Sequence, residues 1–246
     1  MTAPTRSEGL VTLVGGGPGD PGLLTTAGLQ ALQEADVIVF DRLAPLSLLQ
    51  DLSARLIDVG KIPHGQQTAQ EMINELLITE ARKGQHVVRF KGGDSFVFGR
   101  GSEEWQACAE AGIRVEIVPG VSSSIAAPEL AGIPVTHRGL VQGFTVVSGH
   151  VGPDDPRSTL NWEALAQTNT TLVILMGVAN LPMITKTLLR HGMAADMPAA
   201  VIADAGLVSQ RVVRGPVADI ADQAKDAGIT PPAVTVIGQV AGLELG

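Results

Sequence analysis

The chain has 246 residues, 45% of them hydrophobic and 17% charged, a balance that excludes a disordered chain and suits one large or two small buried cores. Its formal net charge of −8 argues against general nucleic-acid binding, while leaving room for a local basic pocket. The single cysteine, Cys108, excludes an internal disulfide and fits a reducing cytosol, so a cytoplasmic protein is expected. The N-terminus, MTAPTRSEG, has no signal-peptide pattern. The longest uncharged stretch, residues 164–185, carries Gln167, Asn169, Asn180 and Pro182 and is rejected as a membrane span.

In chain order, the first half alternates short β-rich runs with helical patterns. Strands are expected over residues 10–15, 36–41, 54–60, 86–91 and 114–120. Helical patterns lie over 23–35, 68–84 and 102–112, with a weaker one over 43–52. In the pattern over 68–84, Met72, Ile73, Leu76 and Leu77 share one face, and Gly84 stops it. Apolar strands alternating with helices point to a mainly parallel sheet covered on both faces. The texture changes near residues 136–143. Five further strand runs follow, around 143–150, 171–177, 199–206, 210–215 and 233–240, with helices near 161–166, 181–192 and 217–228. The last two strand runs read as neighbours with a helix between them. The expected fold is therefore two α/β domains, 1–139 and 140–246, with an active-site cleft between them, a usual place for a small-molecule site.

The first strand runs into GGGPGDPG. The spacing of Gly17, Gly19 and Gly22 satisfies G-x-G-x-x-G, and Asp41 lies 19 residues beyond Gly22, so the pattern formally matches a dinucleotide site. The residues inside it argue otherwise. Pro18 and Pro21 remove two N–H donors, Asp20 adds a negative charge where a pyrophosphate would lie, and the helix starts late. Like charges ~4 Å apart repel by about 1 kcal/mol in water and several times that in a partly buried site. Further glycine-rich segments close other strands, at 59–61, 91–101, 118–124 and 175–177. Ligands of open α/β sheets bind beyond the carboxyl ends of strands, so converging glycine loops point to one ligand cradled by main chain.

Taken together, LVGGGPGDPGLLT, ADVIVFDRL, VGK, VVRFKGGDSFVFGRGSEE, AGIRVEIVPGVSSSIAAPELAGIPVTHRG, SGH, TLVILMG and PAVTVIGQV resemble the uroporphyrinogen-III C-methyltransferases of the tetrapyrrole methylase family. The pieces occur in the family's order over almost the whole chain, and KGGDxFVFGRGxEE followed by GIPVTHR is the most specific of them. The sequence departs from the family at Ser95, where Pro is usual, at Ile62, where Arg is common, and at Phe40 and Leu175, where Tyr is frequent.

The resemblance implies an S-adenosyl-L-methionine-dependent, monofunctional enzyme, typically homodimeric. Its acceptor is uroporphyrinogen III, methylated at C2 and C7 to give precorrin-2 through precorrin-1, for cobalamin or siroheme biosynthesis. From the residues themselves, five scattered histidines with no pair at ligand spacing, the acidic charge and the want of an apolar span, no metal, nucleic-acid or membrane partner is expected. Carried over by motif, the cofactor-binding residues are Pro18, Gly92, Gly93, Asp94, Val97, Ser122, Ser123, Met176 and Gly206. The proton-transfer residues are Asp41 as acceptor and Lys61 as donor. Arg42, Arg89, Lys91, Arg100 and Arg138 are candidates for the substrate's carboxylates, Arg89 equally for a structural ion pair. Cys108, on a helix with Trp105, is expected in the core. A nicotinamide-dependent oxidoreductase, a non-catalytic binding module and a sister methylase acting on a later corrin intermediate stand as alternatives.

Overall fold

A computed structural model describes residues 9–60 and 70–245. The chain divides into two units, Met1–Ser122 and Ser123–Gly246. The strands of the first unit are β1 (Leu10–Gly15), β2 (Val37–Phe40), β3 (Arg55–Asp58), β4 (His86–Lys91) and β5 (Arg114–Val118). All pair in parallel in the order β3-β2-β4-β1-β5. Helices α1 (Thr26–Glu34), α2 (Gln70–Ala81) and α3 (Gly101–Glu110) make the crossovers, because parallel neighbours cannot be joined by a hairpin. The 43–52 pattern condenses to a single 3-10 turn, Leu46–Leu49.

Strand alternation sorts β4 onto two cores. Val88 and Phe90 pack with Val14, Ile38 and Leu32 of α1. Val87 packs on the other face with Leu13, Val39, Leu77 of α2 and Cys108 of α3. Each such fully buried Leu, Ile, Val or Phe is worth about 1.5–3 kcal/mol of hydrophobic transfer. On α2 the buried face runs through Ile73, Leu77 and Ala81, while Met72 is 60% exposed. The expected grouping of Met72 with Ile73 is thus corrected: Glu80, paired with Arg55 and Lys83, shares the buried face with Ile73, Leu77 and Ala81, and Met72 lies outside it.

The second unit begins with α4 (Ser123–Leu130). Its strands are β6 (Phe144–Ser148), β7 (Thr171–Leu175), β8 (Pro198–Ala203), β9 (Arg211–Pro216) and β10 (Ala233–Ile237), with helices α5 (Trp162–Ala166), α6 (Leu181–Arg190) and α7 (Ile220–Asp226). The sheet is mixed, in the order β6-β7-β10-β8-β9; β6 and β7 are parallel, and the other pairs are antiparallel. The last two strands are therefore not neighbours, as their sequences had implied. β10 enters between β7 and β8, and β9 pairs only with β8. Leu172, Ile174, Leu181, Ile184, Leu188 and Val201 form the core.

The units part at Ser122, earlier than the 139/140 boundary expected from the sequence. The physical reason is α4, which packs on β7 and β10. Arg214 Nη2 and Gln210 Nε2 then tie the helix's C-terminal end to the second unit by donating to the carbonyls of Ala131 and Leu130, at 2.8 and 3.0 Å. Among the described residues, no helix is long and apolar enough to cross a membrane.

Candidate active site

In the first unit, β1 and β4 are adjacent, but their outgoing chains lead to helices on opposite faces of the sheet. That divergence is the switch point at which open parallel sheets bind ligands. Here the two loops keep pairing beyond the strands. Gly16 N donates to Lys91 O at 2.7 Å, Gly17 N to Gly93 O at 3.1 Å, and Gly93 N to Gly17 O at 2.6 Å. Asp94 draws in the end of β5: its Oδ2 accepts from Gly120 N at 3.0 Å and its Oδ1 from Phe96 N at 2.9 Å. A Cβ on Gly120 would lie 2.3 Å from Gly93 O and 2.6 Å from Gly15 C, backbone atoms that cannot yield, so only glycine closes this junction.

The loop carrying Pro18 is thus held against the loop carrying Gly92, Gly93, Asp94 and Val97, and the segment ending at Ser122 joins them. Asp41, just past β2, reaches the same sheet edge, where Leu43 abuts Gly92. Between Asp94 and α3 the chain is strained: Phe98 and Arg100 both hold left-handed φ values, +54° and +59°. Such conformations persist where surrounding structure over-determines them, and they cluster at functional sites.

The GGGPGD loop forms no dinucleotide cradle. Asp20 Oδ1 accepts from Gly22 N at 2.7 Å and caps a one-turn helix, Pro21–Leu23. α1 begins only at Thr26, its N-terminus already capped by the Thr25 hydroxyl, which accepts from Gly28 N at 3.1 Å. The usual anion donors at a helix start are displaced and engaged. What remains at the strand ends is main chain, small residues and a carboxylate. That donor set fits a zwitterionic, sulfonium-bearing nucleoside and disfavours a pyrophosphate.

In the second unit, β6, β7 and β8 run in the same direction. Met176, immediately after β7, is left-handed (φ +57°) and 48% exposed. Asp204, immediately after β8, is also left-handed (φ +53°), and Gly206 follows at φ +82°, its N–H donating to Gln210 Oε1 at 3.0 Å. Met176 and Gly206 lie at one edge of this sheet on either side of the start of β10, where Asp204 N donates to Pro232 O at 3.1 Å. Ser123 opens α4. Lys61 lies outside the described residues.

The basic candidates separate. Arg42 and Arg138 are exposed, and neither makes an ion pair with a described residue. Arg100 is exposed and bound by Glu103 at 2.6 Å, which raises the pKa of its guanidinium. Arg89 and Lys91 are only 3% and 5% exposed and are already paired, so they are not available to a substrate. Arg89 Nε donates to Glu104 Oε1 at 3.0 Å and Arg89 Nη2 to Asp41 Oδ2 at 3.0 Å; Lys91 Nζ donates to Glu104 Oε1 at 3.1 Å. Burial, followed by the charge of Arg89, pushes the Lys91 ammonium below its ordinary pKa. Cys108 is fully buried; burial first, then Glu104, pushes its thiol to about 11, so it is not a nucleophile at neutral pH.

Residues 10–221 match the family profile of the Tetrapyrrole (Corrin/Porphyrin) Methylases. The chain belongs to the tetrapyrrole methylases. It is 46% identical over 234 residues to the uroporphyrinogen-III C-methyltransferase of Priestia megaterium, spanning 94% of this chain and 98% of that one. It is 45% identical over 237 residues to an S-adenosyl-L-methionine-dependent uroporphyrinogen III methyltransferase of Methanosarcina barkeri, spanning 96% of this chain and 93% of that one. Among solved structures, a uroporphyrin-III C-methyl transferase of Thermus thermophilus, complexed with S-adenosyl homocysteine, superposes with a TM-score of 0.80 at 37% identity, covering 95% of this chain and 99% of that one.

One further residue of this tetrapyrrole methylase has no role among those the motifs imply. Glu104 is completely buried beneath the strand ends. The signal was present: Gly101, Glu104 and Cys108 fall on one helical face and are all buried, so the periodicity points a carboxylate into the core.

Proposed function

We propose that the chain transfers methyl groups from S-adenosyl-L-methionine to C2 and C7 of uroporphyrinogen III, giving precorrin-2 through precorrin-1. The observation that carries this reading is the knot of strand-end loops at Gly17, Gly93 and Gly120. It gathers main chain and small residues at the strand ends, in a chain with near full-length similarity to uroporphyrinogen-III methyltransferases, and so supports a ligand held by main chain. When bound, S-adenosyl-L-methionine supplies an electrophilic methyl on a sulfonium.

The chain's own part is to hold donor and acceptor in contact and to move protons. Pro18, Gly92, Gly93, Asp94, Val97, Ser122, Ser123, Met176 and Gly206 are the residues proposed to hold the methyl donor. Positioning of this kind supplies much of the acceleration in two-substrate reactions. The electron-rich pyrrole carbon attacks the methyl group, and the ring must then lose a proton. Asp41, 26% exposed and at a strand end, accepts it, and Lys61 donates a proton elsewhere on the macrocycle. Arg42, Arg100 and Arg138 bind substrate carboxylates. The protein is expected to act in the cytoplasm as a homodimer, in cobalamin or siroheme biosynthesis.

The test is an anaerobic assay with S-adenosyl-L-methionine and uroporphyrinogen III, read by product mass. Two successive methyl additions are expected. Transfer to a later corrin intermediate alone would reassign the acceptor, and stabilisation by NAD but not by S-adenosylhomocysteine would overturn the reading.

A further inference from the structure

Arg89 and Lys91 lie two residues apart on β4 and therefore on one face of the sheet, at its carboxyl end. Glu104 of α3 meets both. Its Oε1 accepts from Arg89, from Lys91 and, at 3.2 Å, from Gln70 Nε2. The Arg89 guanidinium uses its remaining edge on the end of β2. Nη1 donates to Val39 O at 3.3 Å and to Phe90 O at 3.2 Å, and Nη2 donates to Asp41 Oδ2. The other Asp41 oxygen, Oδ1, accepts from Leu43 N at 3.1 Å. Both oxygens of a partly exposed carboxylate are thus fixed, one by its own turn and one by a buried planar cation.

A strand-end aspartate in contact with water needs no such partner. Withdrawing a guanidinium and a carboxylate from water is costly, and apolar residues often replace such pairs without loss of stability. The arrangement therefore calls for a role other than stability. We propose that Arg89 is a positioning residue for Asp41: Glu104 anchors the guanidinium from the core, and the rigid fork holds the Asp41 carboxylate in a single orientation at the sheet edge. This rests on the proposed role of Asp41 as proton acceptor.

The experiment is a double-mutant cycle of Arg89→Met and Asp41→Asn, with Arg89→Lys and Glu104→Gln alongside. It is read by single-turnover methyl transfer to uroporphyrinogen III, the substrate KM, and calorimetric binding of S-adenosylhomocysteine, which reports that each variant is folded. Arg89→Met is expected to lower the transfer rate roughly 10²-fold, the size of a small misplacement of a reacting group. The KM and the S-adenosylhomocysteine affinity should stay within about twofold, since the fork is buried and already engaged by Glu104, Asp41 and main-chain carbonyls. Arg89→Lys, which keeps the charge but loses the fork, should recover only part of the rate. In the Asp41→Asn background, Arg89→Met should cost less than about twofold more.

An undiminished loss in that background would show that Arg89 acts independently of Asp41 and would overturn the inference. So would a loss seen only in KM or in S-adenosylhomocysteine binding. If Asp41→Asn alone transfers methyl groups at the parental rate, it is the proposed role of Asp41 that falls. Should Arg89→Met fail to bind S-adenosylhomocysteine because it does not fold, the same cycle run with Arg89→Lys decides the matter.

Discussion

Each unit is built on a five-stranded sheet, yet the two treat buried polarity differently. Among the described residues, the first buries Glu80, Arg89, Lys91 and Glu104, whereas the buried polar residues of the second are Ser124, Thr171, Thr185, Thr187 and Thr235, hydroxyls only. Glu80 lies at the rim and is covered by Arg55 and Lys83, whose side chains are half exposed. The other three form a closed group at the carboxyl end of β4, in contact with Asp41. A hydroxyl can lose its partner at modest cost, whereas a buried charge needs one or more. Charge in the interior of the first unit is therefore concentrated beneath the strand ends that carry the proposed proton acceptor, while the second unit is held by apolar packing.

The sharpest way to break that contrast is Asp41→Asn. It should lower methyl transfer by about 10²–10⁴-fold, the usual contribution of a positioned acid or base, with little change in melting temperature. Glu104→Ala should come next, costing about 3–5 kcal/mol in denaturant unfolding, because Lys91 is left buried without its carboxylate and Arg89 keeps only that of Asp41. Leu188→Ala, in the fully apolar core of the second unit, should cost about 2–5 kcal/mol by cavity formation alone. Unlike the Asp41 substitution, it should leave the rate of the folded fraction unchanged.

Thr235→Val should act in the opposite direction. The Thr235 hydroxyl is buried without a hydrogen-bond partner among the described residues, so exchanging it for a methyl should raise stability by about 1 kcal/mol. A comparable gain at a buried charge of the first unit would erase the distinction between the two. The smallest effect concerns pH. Lys91 has a native pKa below its ordinary 10.5, so between the two values the unfolded chain binds more protons. Its contribution to stability therefore rises as pH climbs through that window. Unfolding curves of the parent should gain on those of Lys91→Met as pH approaches 10.5, and a parent that instead loses ground to Lys91→Met over that rise would reverse the sign.

Much of the first unit was legible because its strands are short apolar runs punctuated by glycine, and local pattern suffices to find them. β1 and β4 fall where expected, 10–15 and 86–91. The refusal of phosphate was legible too, since proline and aspartate chemistry is local to the GGGPGD loop. Helix α4 was not: SSIAAPEL scatters its few polar residues, Ser123, Ser124 and Glu129, without an amphipathic stripe and contains Pro128, and its first residues read as part of the glycine-rich loop. The insertion of β10 between β7 and β8 was equally hidden, because both flanking strands are continuous buried runs that offer no pattern to choose a partner by.

The sequence by itself determined where the chain bends, which segments are strands, which are helices apart from α4, and that the first glycine loop carries two prolines and an aspartate where a dinucleotide needs N–H donors. Each of those follows from the residues immediately concerned. Only the tertiary structure decided that β10 divides its sheet, that α4 belongs to the second unit, and that Arg89 faces inward to Glu104 and Asp41 instead of outward to a substrate. Those outcomes depend on partners distant in the sequence, and a buried guanidinium's partner is chosen by which carboxylates the packed strands and helices bring within reach of it.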